Sequence, residues 1–239
     1  MVEDHANPVF DWFANQHVPG SRDAFLEQAG PILASLVRPG DRVLDLCCGA
    51  GAISFFLEDL GAEVTAIDQA SGLIAMARAE AAKRGSRVAF VEDDVLTGAL
   101  GDGRYALAVC LGNAVLDFPP AAFPRFGDRV RRALQADGRL ALEYHDGVVR
   151  LLDMREPAEV TEQGATGPVR RVFRTYDPER GGYEQEYRNL VTGEVFDYTG
   201  YVYTGPVIRA LLGATFDFER STRLSERSFL DVFAVREAP

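Results

Sequence analysis

Val43-Leu44-Asp45-Leu46-Cys47-Cys48-Gly49-Ala50-Gly51, residues 43–51, begins with apolar residues around one aspartate, runs through two small cysteines and ends in a Gly-Ala-Gly turn. Behind it, Ala52, Ile53, Phe56, Leu57 and Leu60 recur close to the spacing of one helix face. The stretch predicts a buried strand, a tight glycine turn and a helix start. Such a turn presents backbone N–H groups at a helix N-terminus, and glycine adds no Cβ to keep a polar or charged ligand away. The plain alternative is a strand-to-helix turn that binds nothing.

Two phosphate-binding loops do not fit. The dinucleotide fingerprint G-x-G-x-x-G lacks its third glycine, because Ser54 stands there, and no Gly-Lys pair exists to make a nucleotide-binding P-loop. What distinguishes the turn is Asp45, four residues before Gly49.

Outward from the turn, strand and helix signals alternate over residues 40–146. Upstream, Ser21 offers an N-cap to a helix that Gly30-Pro31 interrupts, and Arg38 to Asp41 turns into the first strand. Downstream, Gly61 ends the helix, and Glu63 to Asp68 is a second strand. Asp68 lies 17 residues after Gly51, where an acid at a second strand's end meets ribose hydroxyls; it also suits the cap of the next helix. Ser71 to Arg84 is a helix ended by Gly85, Arg87 to Val91 a third strand, and Asp94 in the acidic loop behind it either accepts from an adenine amino group or faces solvent. Tyr105 to Leu111 is a fourth strand followed by Gly112-Asn113. Pro119 to Leu134 is a helix, Asp137-Gly138 a turn, and Arg139 to Tyr144 a fifth strand.

Near-continuous apolar strands between helices predict a parallel sheet covered on both faces. Ligands then bind at the strands' carboxyl ends. Asp45, Asp68, Asp94, Leu111 to Asn113 and Tyr144-His145 all fall there, which predicts one common site.

The last third changes character. Val169 to Tyr176, Tyr183 to Val191 and Glu194 to Thr204 alternate and are rich in Val, Phe, Tyr and Thr, which predicts a three-stranded antiparallel meander. Pro206 to Leu212 is a short helix, and Phe216 to Arg223 with Ser228 to Arg236 form a closing hairpin. Without repeats or a low-complexity linker, residues 1–239 are expected to form one domain, with 165–204 as a cover over the site. Residues 1–20, carrying Phe10, Trp12, Phe13 and His17, are either a segment packed on the core or a lid.

Composition narrows the class. Apolar residues make up 47% of 239, enough for a packed core, and no apolar run reaches the ~18 residues of a membrane span. The acidic N-terminus has no apolar h-region of a signal peptide. Three cysteines without C-x-x-C spacing argue against a disulfide framework or a zinc site, so no metal is expected and the location is taken as a reducing cytoplasm. The net charge of −11 repels nucleic acid. The partner is then a small molecule, with a homodimer left open.

Taken together, VLDLCCGAG, Ala66-Ile67-Asp68, Cys110-Leu111-Gly112-Asn113, and a strand ending in acid and His at 143–145 resemble the class I S-adenosylmethionine (SAM) methyltransferases, most of all the glycine and sarcosine N-methyltransferase type. Cys47 stands where the family has its first motif glycine. The resemblance implies a Rossmann-like, mostly parallel seven-stranded sheet with helices on both faces, plus the small antiparallel meander. It implies SAM as cofactor and S-adenosylhomocysteine as product. By matching, Asp45, Cys47, Gly49 and Gly51 belong to the turn around the methionine part of SAM, with Trp12 beside it. Asp68 falls to the ribose, Gln69, Asp94 and Val95 to the adenine, Leu111 to the SAM amino group, and Arg22 to the SAM carboxylate, which a guanidinium binds bidentately.

Methyl transfer from sulfonium is an in-line displacement that needs alignment and exclusion of water. An amine or hydroxyl acceptor must also lose a proton. Asn113, His145 and Tyr176 are the candidate catalytic residues, and Asn113, Tyr144, Arg171 and Arg174 the candidate substrate contacts. The glycine enzymes carry an arginine two residues past the fifth-strand acid, where this chain has His145; Arg171 and Arg174 are the replacements considered. The acceptor expected is an amine or carboxylate of a small, amino-acid-like molecule. The alternative is a cyclase or lyase that consumes SAM alone and releases methylthioadenosine.

Overall fold

The computed structural model describes residues 23–155 and 158–236. Helix α1 (Asp23–Leu36) leads into a seven-stranded sheet assembled from β1 (Arg42–Leu46), β2 (Glu63–Asp68), β3 (Ala89–Glu92), β4 (Tyr105–Cys110), β5 (Leu134–His145), β10 (Phe216–Arg223) and β11 (Ser228–Val235). The order across the sheet is β10-β11-β5-β4-β1-β2-β3. Strands β1 to β5 are parallel; β11 runs antiparallel to β5, and β10 to β11. This is the expected Rossmann-like arrangement, and the hairpin closes it as anticipated.

Alternation along each strand divides the apolar residues between two cores. Leu44, Leu46, Ala108, Cys110, Leu140 and Leu142 face α4 (Phe123–Ala133) and α6 (Gly205–Leu212). Val43, Val64, Ala66, Leu107, Val109 and Ala141 face α1, α2 (Ala52–Asp59) and α3 (Ser71–Arg84). Both faces are dry, which is why these strands read as continuous apolar runs. Among the described residues no helix is long and apolar enough to cross a membrane.

Four local expectations need correction. Helix α1 runs unbroken through Gly30-Pro31. Proline removes one N–H, but Pro31 is exposed, so water reaches the carbonyl it leaves unpaired. Gly30 serves packing: a Cβ there would lie 3.1 Å from the Phe56 ring of α2. Asp137-Gly138 is not a turn between elements but an irregularity inside β5, where the pairing steps from Tyr105↔Leu134 to Leu107↔Arg139. The predicted helix from Pro119 splits into a 3-10 turn, Pro120–Ala122, and α4.

The meander has four strands rather than three: β6 (Glu159–Gly164), β7 (Gly167–Asp177), β8 (Gly182–Asn189) and β9 (Val195–Tyr201), all antiparallel neighbours in that order. Strand β6 is a largely exposed edge with Val160 as its sole aliphatic residue, so it carries almost no apolar signal. Helix α5 (Gly147–Arg155), for which the sequence suggested no element, lays Met154 and Leu151 on a third small core with Val169, Tyr183, Tyr187 and Tyr198.

Candidate active site

The backbone after β1 turns left-handed three times: φ is 58° at Cys47, 57° at Gly49 and 85° at Gly51, which caps α2. Such values suit glycine and strain any residue with a Cβ. Cys47 thus occupies a glycine conformation at the position where the motif has glycine. A Cβ on Gly49 would meet nothing within 4 Å, so the peptide is open to close approach.

Two buried carboxylates hold this turn in place. Ser54 Oγ, in the first turn of α2, donates to Asp45 Oδ2 at 2.6 Å. From the end of β2, Asp68 accepts from the Gly49 N–H at 2.8 Å and from the Ala70 N–H at 2.9 Å. Asp68 therefore joins the turn after β1 to the start of α3.

The turn forms one wall of a cleft of about 220 Å³ lined by Asp45, Cys47, Gly49, Leu73, Leu111 and Gly112, among others. It lies at the carboxyl ends of β1 and β4, where the chain order switches from one side of β1 to the other; ligands of open α/β sheets bind at such points. All three cysteines are free thiols. The bond to Cys110, then burial, keeps Cys47 protonated, and burial, then the charges of Asp45 and Asp68, raises Cys48, so neither is a ready nucleophile.

The remaining predicted residues divide. Gln69 follows Asp68, half-buried at the end of β2. Asp94 caps its own turn, accepting from the Leu96 N–H at 2.8 Å and from Thr97 Oγ1 at 2.9 Å. The Val95 side chain lies in the core, and its carbonyl accepts from Arg129 Nε at 3.1 Å. Trp12 and Arg22, with the suggested lid over 1–20, lie outside the described residues.

Asn113 and His145 tie β4 to β5. Asn113 sits at φ 68°; its N–H donates to Glu143 Oε2 at 2.5 Å, and its Oδ1 accepts from the His145 N–H at 2.7 Å. Glu143, 2% exposed, also accepts from Ser228 Oγ at 2.6 Å and has His145 Nε2 at 3.6 Å. Both residues therefore have a structural task at the rim. Asn113→Gly is expected to lower stability by about 1 kcal/mol through the lost hydrogen bond. Asn113→Ala should cost about 2–3 kcal/mol, because alanine keeps the Cβ strain that glycine relieves and lacks the local hydrogen bonding that lets asparagine hold a left-handed conformation. Equal urea midpoints for the two variants would remove the backbone argument.

The structure does not bring Tyr144 into the cleft. Its ring stacks on Phe229 at 5.8 Å within the core, with its hydroxyl against Gly205 of α6. Tyr176 is an exposed residue of β7 opposite Tyr183. Arg171 and Arg174 are engaged inside the meander, Arg171 with Glu162 at 3.1 Å and Arg174 with Glu186.

Four residues passed over in the sequence meet in one polar cluster. Asp117 ends the 3-10 turn Ala114–Asp117, five residues after the cleft-lining Gly112. Tyr198 of β9 donates a hydrogen bond to Asp117 Oδ1. Arg150 of α5 donates from Nε to the hydroxyl of Tyr183 at 3.1 Å. Burial pushes the Asp117 carboxyl up to about 7, against the pull of Tyr198 and Arg150 and with the help of the Asp68 charge. Asp117 sits before Phe118-Pro119-Pro120 and reads as a turn residue; only the folding back of β9, 81 residues on, reveals its surroundings.

Residues 43–138 match the family model described as a methyltransferase domain. The ribosomal protein L11 methyltransferase of Thermus thermophilus is 36% identical over 110 residues, 46% of this chain and 41% of that protein. The chain spans about half the length of the curated relatives it matches. Among solved structures, the PH0226 protein of Pyrococcus horikoshii superposes with a TM-score of 0.76 at 22% identity, covering 96% of both chains. The 1,6-didemethyltoxoflavin-N1-methyltransferase of Burkholderia thailandensis, solved with S-adenosylhomocysteine, superposes with a TM-score of 0.58 at 21% identity over 95% of this chain and 86% of that one. Residues 43–138 thus resemble a methyltransferase domain, and the sheet around them shares the fold of these solved structures. The matched description stops at the methyltransferase domain and does not extend to the glycine and sarcosine type.

Proposed function

We propose that this chain is a SAM-dependent methyltransferase acting on an amine or carboxylate of a small, amino-acid-like molecule. The observation that carries the reading is the left-handed turn at Cys47, Gly49 and Gly51, opening at the switch point between β1 and β4 and pinned from below by Asp45 and Asp68. The open approach to the Gly49 peptide fits a ligand that meets backbone rather than side chain.

In this reading Asp45, Cys47, Gly49 and Gly51 shape the cradle for the methionine part, with Leu111 at its edge and Trp12 and Arg22 contributed by the N-terminal segment. Asp68 takes the ribose, and Gln69, Asp94 and Val95 surround the adenine, Val95 through its backbone. When bound, SAM supplies an electrophilic methyl group on sulfonium. The chain's part is to align donor and acceptor, exclude water and accept a proton where the acceptor has one to lose. The likeness to glycine and sarcosine enzymes enters as support for an amino-acid-like acceptor. The partner is a small molecule rather than nucleic acid, a homodimer stays open, and the location proposed is the cytoplasm. The reading in which SAM is the sole substrate has no observation in its favour.

Calorimetry with SAM, followed by mass spectrometry of products with and without a pool of small amines and acids, tests the proposal. S-adenosylhomocysteine formed only with the pool supports it. Methylthioadenosine from SAM alone replaces it with the cyclase or lyase reading. Asp68→Ala is expected to weaken SAM binding roughly 100-fold, the worth of about two hydrogen bonds to a charged group. Unchanged affinity would remove the ribose assignment.

A further inference from the structure

Asp117, Tyr198, Arg150 and Tyr183 come from the turn after β4, from α5 and from two meander strands, yet they form one polar cluster, with Asp117 five residues after the cleft-lining Gly112. We propose that this cluster is the acceptor site: Asp117 takes the proton of the amine or hydroxyl that is methylated, Tyr198 positions Asp117, and Arg150 grips a carboxylate on the same acceptor. The inference rests on the methyl-transfer reading and adds to it the substrate class, a small acid bearing an N–H or O–H nucleophile.

Three observations support the placement. Asp117 is near enough to Asp68 and Cys47 for its charge to be felt at both, and Cys47 lines the cleft. Tyr198, 7% exposed, donates to one carboxylate oxygen and so fixes how Asp117 is aimed. Arg150 has no carboxylate within ion-pair distance among the described residues, in contrast to Arg171 and Arg174. Its bond to Tyr183 uses Nε, and the Tyr183 ring lies 5.8 Å from the guanidinium. That orientation leaves the two terminal nitrogens for a bidentate carboxylate. Of the residues first considered, Asn113 has its N–H and Oδ1 engaged in joining β4 to β5.

In the step itself, the acceptor's lone pair forms the new bond to the methyl carbon. The methyl–sulfur bond breaks with its electron pair remaining on sulfur, which becomes a neutral thioether, and the acceptor's proton passes to Asp117. The groups facing Asp117 are Tyr198 from β9, Arg150 from α5, Asp68 from β2 and Cys47 from the glycine turn. With Asp117 held near 7, the base form grows in as pH rises through about 7, and the rate rises with it. Stability moves the other way. The folded state holds this proton more tightly than the unfolded chain, so the contribution of Asp117 is fully present below its ordinary value and is lost as pH rises through about 7.

The test uses wild type, Asp117→Asn, Tyr198→Phe and Arg150→Met with a set of small α-amino and hydroxy acids and the matching amines and alcohols without the carboxylate. Wild type is expected to bind and turn over only carboxylate-bearing members. Asp117→Asn should lose at least ~100-fold in turnover, keep its SAM affinity, and melt at a higher temperature than wild type at pH 8. Tyr198→Phe should move the apparent pKa of the rate upward, and Arg150→Met should raise KM for the acids more than it lowers kcat. Wild-type turnover by Asp117→Asn, equal use of members without a carboxylate, or no saturable binding of any acid to protein loaded with S-adenosylhomocysteine overturns the proposal. Failure of wild type to bind SAM overturns instead the methyltransferase reading beneath it.

Discussion

Arg209→Ala is expected to destabilise the fold by about 3 kcal/mol, although Arg209 touches neither the cleft nor its rim. Its partner, Asp231, is 0% exposed in the middle of β11, between β5 and β10. Arg209, on α6, donates from Nε at 2.8 Å and from a terminal nitrogen at 3.3 Å, one bond to each carboxylate oxygen. Removing the arginine strands a buried charge, and breaking such pairs costs about 3–5 kcal/mol. The lower end applies because the Arg209 side chain is 32% exposed and water can partly replace it. The guanidinium also lies 4.1 Å from the centre of the Phe218 ring, so the truncation loses packing as well as charge. Replacing both partners by apolar residues, as in Arg209→Met with Asp231→Leu, should recover most of the loss. By contrast, Arg42–Glu63, with side chains 55% and 69% exposed, should contribute less than about 1 kcal/mol. Urea midpoints at constant slope measure these costs. A cost for Arg209→Ala no larger than that of the exposed pair would show that Asp231 is resolvated.

Gly51→Ala should cost about the same and abolish SAM binding with it. The residue sits at φ 85°, where a Cβ costs about 1–2 kcal/mol. The added carbon would also stand 2.7 Å from the Phe90 ring and 3.3 Å from Phe55. Those rings meet edge to face at 5.5 Å inside a packed core, and overpacking of that kind costs about 1–3 kcal/mol. Gly49→Ala separates the two contributions, because at φ 57° it has the strain but nothing within 4 Å. Its cost should be about 1–2 kcal/mol. Phe90→Leu in the Gly51→Ala background should restore the packing part only. Equal stability losses at the two glycines would mean that Phe90 yields without cost.

The parallel sheet was legible because both of its faces are dry: Val43, Leu44 and Leu46 are 0% exposed and left an apolar run that polar alternation would have broken. The glycine turn was legible for a related reason, since few residue types tolerate its dihedral angles. What stayed hidden depends on contacts distant in sequence. Gly30-Pro31 read as an interruption of the helix because nothing local says that Pro31 faces solvent. Strand β6 is held through pairing with β7, not through its own composition. Among the residues considered for the site, those at the strand ends and in the turn (Asp45, Cys47, Gly49, Asp68) could be placed together from spacing and from the family resemblance. Asp117 and Arg150 could not, because their surroundings are made by tyrosines from the meander. Tyr144 failed the other way: its position at a strand end was right, but alternation turns its side chain into the core.

The division of the apolar residues has an evolutionary consequence. The glycine turn rests on the two cores that sandwich the main sheet, whereas Tyr183, Tyr187 and Tyr198 rest on the third, shared with Met154 and Val169. Substitutions that reshape the third core are insulated from the dihedral angles at Cys47, Gly49 and Gly51. Selection can therefore remodel the meander, one tyrosine at a time, without renegotiating the glycine turn.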